Sequence, residues 1–379
     1  MTPPRSAGSL RLTPLSGLGG KHAACFLIDD GDTRLLLDLG AGSGDAPPRP
    51  DLSRLDGRPV DAVLLSHQHE DHIGGLDLLP VIGSPPVHAT AAVARAVGRQ
   101  FAVDCRPLPL RGRLEIGGLT IRTGRSGHAP GGVWLHVSAT GTAEVGGILY
   151  MGDHSGESRL FAQDAPPPAA VVVLDASYGV DDVPQGERTP QVLAALRDGP
   201  VLLPAPPAGR GVEMAVAALQ AGLPAPALCP VTREAAARLL DADAATLRPG
   251  IAPLLARLVE TAPLAGGATR PTIAVGATLE AGPAVGLAEQ WRAAGLPILL
   301  TGHVPAATPA RALLDVGAAT WRRWNVHPPL RENRALVQAV RPRVVVPAFG
   351  RLEHAAVWAA AFAPATVRLD GAEVEASAA

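Results

Sequence analysis

Aromatic residues make up only 3% of the 379-residue chain: two tyrosines, five phenylalanines and five tryptophans. A surface that holds single strands by stacking bases on rings would have few rings to use. An excess of charge is missing as well. Thirty-three Lys and Arg against 35 Asp and Glu leave a net charge of −2, which excludes a strongly basic surface that binds phosphates throughout. Lysine is nearly absent, with Lys21 alone among the basic residues and arginine supplying the rest; beside so much Ala, Gly and Pro this reads as coding bias and carries no functional weight. The three cysteines, Cys25, Cys105 and Cys229, are far apart and in no Cys-x-x-Cys spacing, which excludes a disulfide framework and a thiolate metal site and fits a reducing cytoplasm. No apolar run reaches the ~18–20 residues of a membrane span, and Met1 to Arg5 opens no apolar signal-peptide core. A soluble cytoplasmic protein with no membrane partner is expected, with homo-oligomers left open.

What is present is apolar residue in quantity, 47%, with 42 glycines and 38 prolines to turn the chain. That is ample for folded cores, and the length asks for two or three lobes of roughly 100–200 residues each. A hairpin is expected from Cys25 to Leu39 around the Asp29-Asp30-Gly31-Asp32 turn. Val60–Leu65, Leu119–Thr123, Val133–Ser138, Gly147–Met151 and Val171–Leu174 read as further strands, with few helices before residue 185. After Tyr178 the texture changes. Helical segments (191–196, 211–219, 233–240, 251–258) alternate with short strands at 201–203 and 273–275, the pattern of a parallel α/β lobe.

The strand at 60–65 ends in Ser66-His67-Gln68-His69-Glu70-Asp71-His72. In an extended chain, a spacing of two turns His67, His69 and Asp71 to one face, and a following turn can bring His72 beside Asp71. Imidazoles and carboxylates together are the ligand set of zinc and related divalent ions. Two ions would need more ligands. His128, in a Gly-rich turn between strands, and Asp153, directly after the strand at 147–151, stand where they could supply them. Taken alone, each reads as an ordinary loop or turn residue; Asp153 as a bridging carboxylate would hold two ions about 3.5–4 Å apart.

His-x-His-x-Asp-His, a later His in a Gly-rich turn, Gly-Asp after a strand and the earlier strand-end Asp38 resemble the metallo-β-lactamase fold. The resemblance continues into its β-CASP branch, which includes ribonuclease J, the polyadenylation-factor endonuclease and the Artemis-like nucleases. Leu174-Asp175-Ala-Ser-Tyr-Gly179 is similar to that branch's acidic motif, Gly209-Arg210-Gly-Val-Glu213 to a helix start, and Thr301-Gly-His-Val to a later segment; Asn325-Val-His327 stands where Ser-Ala-His is usual. Two departures stand out. Ala348-Phe349-Gly350 replaces Val-His-Gly, as no histidine is present there, and His303 follows Gly302 where a tyrosine is usual.

The resemblance implies an αββα metallo-β-lactamase sandwich, class α/β, with an inserted α/β β-CASP-like lobe. The expected division is 1–184 for the first part of the sandwich, 185–310 for the insertion and 311–379 for the return. It implies a zinc-dependent hydrolase, a phosphodiesterase or nuclease on RNA or DNA working through metal-activated hydroxide, with metal ligands His67, His69, Asp71, His72, His128 and Asp153. Two zinc ions are expected, the second held more weakly because Phe349 offers no lone pair, with manganese as a substitute and His327 as the replacement donor. The expected catalytic residues are Asp71, His327 for phosphate contact or leaving-group protonation, and Asp175 to steer it. Asp38 is read as a hydrogen-bond anchor of the metal loop, and His154 and His303 as structural. Gly17-Leu-Gly-Gly20-Lys21-His22 lacks the first Gly and the Ser/Thr of a phosphate loop and is set aside. Two rivals remain: a hydrolase of a small ester or phosphodiester, and a non-catalytic scaffold.

Overall fold

The computed structural model describes residues 10–42, 49–141, 146–207 and 209–376; the expectation placed on Met1–Arg5 lies outside them. Two seven-stranded sheets form the body. In the first, β1 (Leu10–Ser16), β2 (Cys25–Asp29) and β3 (Arg34–Leu37) run antiparallel, and β3, β4 (Ala62–Leu64), β5 (Val87–Ala89) and β6 (Cys105–Pro107) run parallel. The second is built from β7 (Gly112–Ile116), β8 (Leu119–Arg125), β9 (Val133–Ala139) and β10 (Ile148–Tyr150), antiparallel in succession, then β11 (Val171–Asp175) parallel to β10.

Residue alternation along these strands assigns the layers. Leu35 and Leu37 point between the sheets, where they pack with Ile121, Leu135, Val137, Val171 and Val173. Leu36 and Val63 face the other way, against Ile73, Val93 and Val97, as a period of two requires. The helices on that outer side are α1 (Glu70–Ile73) and α2 (Ala91–Phe101). The eleven-residue α2 goes beyond the expectation for this region; it buries Ala92, Val93 and Val97, with Ala94 and Phe101 half-buried against the same core.

The chain then leaves the sandwich. Helices α3 (Gln185–Arg197), α4 (Arg210–Gln220), α5 (Pro230–Asp241) and α6 (Ala252–Thr261) pack about a parallel sheet of β12 (Leu202–Ala205), β13 (Ala227–Leu228) and β14 (Thr272–Val275). After α7 (Ala284–Ala293) comes a parallel pair, β15 (Leu299–Leu300) and β16 (Thr320–Trp321), separated by α8 (Pro309–Asp315). Because β16 still pairs with β15, pairing with the sandwich resumes only at β17, well beyond residue 311. Helix α9 (Leu330–Val340) and α10 (Ala355–Ala361) cover the outer side of the second sheet, packing Leu336, Val337, Val340 and Trp358 on Leu149, Val172 and Val345. Strands β17 (Val344–Ala348) and β18 (Thr366–Val367) extend the second sheet beside β11, and β19 (Val374–Ala376) closes the first against β1. The architecture is an αββα sandwich whose last strands come from the chain's far end, with a smaller α/β lobe between. Among the described residues no helix is long and apolar enough to cross a membrane.

Candidate metal centre

Strand β4 runs fully buried into Leu65, Ser66 and His67, and the chain stays extended through His69, the residue before the single turn α1. That boundary corrects the expected face. His67 and His69 remain together, but Glu70 begins a helical turn, so Asp71 swings away from them and joins His72. The loop is bolted to its neighbours through backbone: the Ala24 amide donates to the Asp71 carbonyl at 2.7 Å and the Leu39 amide to the His72 carbonyl at 3.0 Å. Gly40 permits that approach, since a Cβ there would lie 1.8 Å from the Asp71 carbonyl oxygen.

Asp38, just past β3 and buried, sits at φ 59°, an unusual conformation for a non-glycine residue. Its carboxylate accepts from the Ser66 amide (2.7 Å), the Ser66 hydroxyl (2.6 Å) and the Tyr150 hydroxyl (2.5 Å), and its Oδ2 lies 2.7 Å from His72 Nδ1. It anchors the loop and leaves Nε2 of His72 as that ring's outward nitrogen. Tyr150 is a partner that no sequence motif announced.

Three ring nitrogens and one carboxylate oxygen converge in the first cluster. His69 Nδ1 lies 3.1 Å from His67 Nε2 and 3.0 Å from His128 Nε2, while Asp153 Oδ2 is 3.6 Å from His67 Nε2 and 3.5 Å from His128 Nε2. Ligands about 2.0–2.1 Å from a tetrahedral zinc stand roughly 3.3 Å apart, so these separations are those of tetrahedral edges. The other oxygen of Asp153, Oδ1, faces elsewhere, 3.3 Å from His72 Nε2, where Asp71 completes a second group. A third group joins Asp153 Oδ2 with His327 Nδ1 at 3.6 Å, and that nitrogen is bound to Asp175 Oδ2 at 2.7 Å.

His327 therefore sits on the Oδ2 side of Asp153, by His128, and not beside His72 where a substitute for the missing histidine would be needed. Phe349 occupies that place, buried at the end of β17 with its ring centroid 5.2 Å from that of His72. All the expected site residues, His67, His69, Asp71, His72, His128, Asp153, Asp175 and His327, are thus brought together, in three overlapping groups. His154 is turned away, its ring nitrogens near Gln163 and Asn333, and Asn333 ties back to the Asp175 carbonyl.

Asp153 Oδ2, buried in this cluster, has no hydrogen-bond partner, an arrangement that costs free energy unless a cation takes its lone pairs. Burial opposes charge on His72 too, yet Asp153 and Asp38, the two carboxylates on either side of it, hold it well above the usual imidazole range. Burial pushes His67 well below the usual imidazole range, His69 down to about 4 and His128 down to about 3, so these rings stay neutral and keep lone pairs to donate. Burial opposes charge on Asp71, yet Lys21 and His72 outweigh it and hold the carboxyl down to about 2. Lys21 was not foreseen. Its Nζ lies 3.3 Å from Asp71 Oδ2, a proximity that only the folded chain creates.

A cleft of about 480 Å³ opens beside His69 between the sandwich and the smaller lobe. Arg95 and Arg99 reach it from α2 and Arg238 from α5, with Pro130, Pro206 and Pro207 along its walls.

The chain carries the signature described as Metallo-beta-lactamase superfamily over residues 18–176, the stretch that supplies every group of the first two clusters. Residues 18–176 are a metallo-β-lactamase superfamily domain. Ribonuclease TTHA0252 of Thermus thermophilus is 28% identical over 194 residues, 45% of this chain and 44% of that protein. Transcription termination factor FttA of Cenarchaeum symbiosum is 28% identical over 247 residues, 54% of this chain and 38% of the factor. The chain thus spans less than half the length of these relatives. A crystal structure of a protein of unknown function from Enterococcus faecalis V583 has the same fold, with a TM-score of 0.61 over 97% of this chain and all of that one at 15% identity.

Proposed function

We propose that this metallo-β-lactamase domain protein is a metal-dependent phosphodiesterase of the β-CASP branch, acting on RNA or DNA, with zinc held by His67, His69, His128 and Asp153. The observation that carries this reading is the division of Asp153 between two groups, with Oδ2 toward the three-histidine cluster and Oδ1 toward His72 and Asp71. The relatives named as a ribonuclease and a termination factor support a nucleic-acid substrate.

When bound, zinc supplies an activated water and a positive charge for phosphate oxygens. The protein's own groups do the rest. Asp38 fixes the orientation of His72. Asp175 accepts from His327 Nδ1, which sets the ring's angle and leaves Nε2 as the nitrogen for a substrate phosphate or a leaving oxygen. At the adjoining cleft Arg95 is paired with Asp243 and Arg238 with Glu234, while Arg99 has no ion pair among the described residues and offers its charge to a phosphate; the lining is poor in aromatic rings for stacking.

The test is hydrolysis of bis(p-nitrophenyl) phosphate and of end-labelled single-stranded RNA and DNA by zinc-loaded protein, wild type against Asp153→Asn. Wild-type turnover that falls at least ~100-fold in the variant, with the fold intact by circular dichroism, is expected from the loss of the one carboxylate shared by the histidine cluster and the His72 group. No phosphodiester cleavage by wild type, or an undiminished rate in Asp153→Asn, overturns the reading; faster turnover of small carboxylic esters favours the small-substrate rival.

A further inference from the structure

The position formed by Asp71, His72 and Asp153 Oδ1 is poorer in protein donors than the first cluster, three against four. Phe349 closes His72's flank with an apolar ring. A cation nevertheless stands there. Lys21 Nζ is 3.3 Å from Asp71 Oδ2, on a side chain that is 35% exposed and so reachable from solvent, and it is the one lysine of the chain. The pairing is imposed by backbone. Lys21 lies three residues before Ala24, whose amide is bonded to the Asp71 carbonyl at 2.7 Å, and Gly40 closes the same corner by donating to the Ala24 carbonyl.

We infer that Lys21 serves as a fixed cation in place of a second metal ion, its ammonium occupying Asp71 and facing the anionic oxygens of a phosphodiester, so that the centre holds one ion tightly, in the histidine cluster. This rests on the metal centre proposed above and names which positive group completes it. A divalent ion claiming Asp71 must displace or approach the ammonium, and two like charges a few ångströms apart in a partly dry site repel strongly. A lysine suits the role because its ammonium is a compact point charge with three donors and no preferred plane. It leaves a singly charged, permanently tethered group where metallo-hydrolases with two ions have an exchangeable one.

The experiment titrates zinc into metal-free full-length protein by calorimetry and checks retained metal by elemental analysis after dialysis, for wild type, Lys21→Met and Lys21→Arg. Wild type is expected to retain one zinc, with any second ion at least ~10-fold weaker; Lys21→Met should tighten the second ion by about 10-fold or more, and Lys21→Arg, which keeps the charge, should behave as wild type. Two equally tight ions in wild type, or a second site unchanged in Lys21→Met, overturn the assignment of Lys21 and leave the phosphodiesterase reading standing. No zinc in any variant removes the metal centre itself, and with it both. Because none of these readouts uses turnover, a protein that binds one zinc as described but cleaves no phosphodiester would sustain the lysine assignment and refute the proposed activity.

Discussion

His72 and Asp38, 34 residues apart in sequence, meet with Nδ1 of the ring 2.7 Å from Oδ2 of the carboxylate, both side chains fully buried. Asp38 also accepts from Ser66 twice and from Tyr150, so one carboxylate sets the loop's backbone, the tilt of His72 and the position of a strand from the opposite sheet.

Asp38→Asn puts an amide donor where only donors approach. The cost is expected at about 2–4 kcal/mol of stability, because several buried groups are deprived of their acceptor together, and zinc affinity should fall by roughly 10–100-fold as Ser66, the residue before His67, loses the carboxylate that anchors its amide and hydroxyl. Denaturant unfolding and a competitive chelator titration measure the two effects.

Removing two of the three cluster imidazoles in the double variant His67→Ala, His69→Ala should abolish the tightly held ion. Elemental analysis of protein purified without chelator is the measurement, with about one equivalent expected in wild type and none in the variant, since two ligands cannot close a tetrahedral site. Retention of the wild-type amount would place the ion elsewhere.

Glu332, at the start of α9 and beside His154, predicts a pH effect on stability. Burial, with Glu157 and Asp175 adding to it and the Gly156 amide opposing, raises its carboxyl to about 8, and Oε2 has no partner. The folded protein thus holds a proton that the unfolded chain releases near the ordinary value of about 4.3. Stability from this group is full below that value and is lost as pH rises through about 8. Glu332→Gln, which keeps the neutral form, should raise the melting temperature above wild type at pH 9, with the gap narrowing toward pH 5. A pH-independent difference would show that ionisation is not involved.

The cleft arginines separate substrate binding from chemistry. Arg238 is paired with Glu234 on its own helix, while Arg99 has no ion pair among the described residues. The double change Arg99→Gln, Arg238→Gln should raise KM for a single-stranded oligonucleotide and lower the salt dependence of its binding by roughly 0.7 log unit per log unit for each phosphate that an arginine no longer neutralises, with bis(p-nitrophenyl) phosphate turnover kept. Arg197→Gln, an exposed change on α3 away from the cleft, should alter neither; equal effects from Arg197→Gln would mean diffuse attraction instead of a track.

The sequence by itself determined many of the strands, the change of texture after Tyr178 and the ligand types. Alternation in Leu35-Leu36-Leu37 and the Val-rich runs at 171–175 and 344–348 set which side chains lie between the sheets and which beneath helices, because a strand's period leaves an apolar run little choice. The concentration of imidazole and carboxylate at 67–72 marked the chemistry, since such groups seldom crowd together without a cation. Tertiary structure decided the grouping. The onset of α1 at Glu70 sends Asp71 away from His67 and His69, and no periodicity resolves a single helical turn. The far end of the chain carries β17 back beside β11, which sets Phe349 against His72 and, with α9, delivers His327 to Asp175 across 152 residues. The closure of Ala24 on Asp71 brings Lys21 to the same carboxylate. These pairings join residues far apart in sequence and form only when both sheets are assembled, and local pattern carries no information about which distant side chain will arrive.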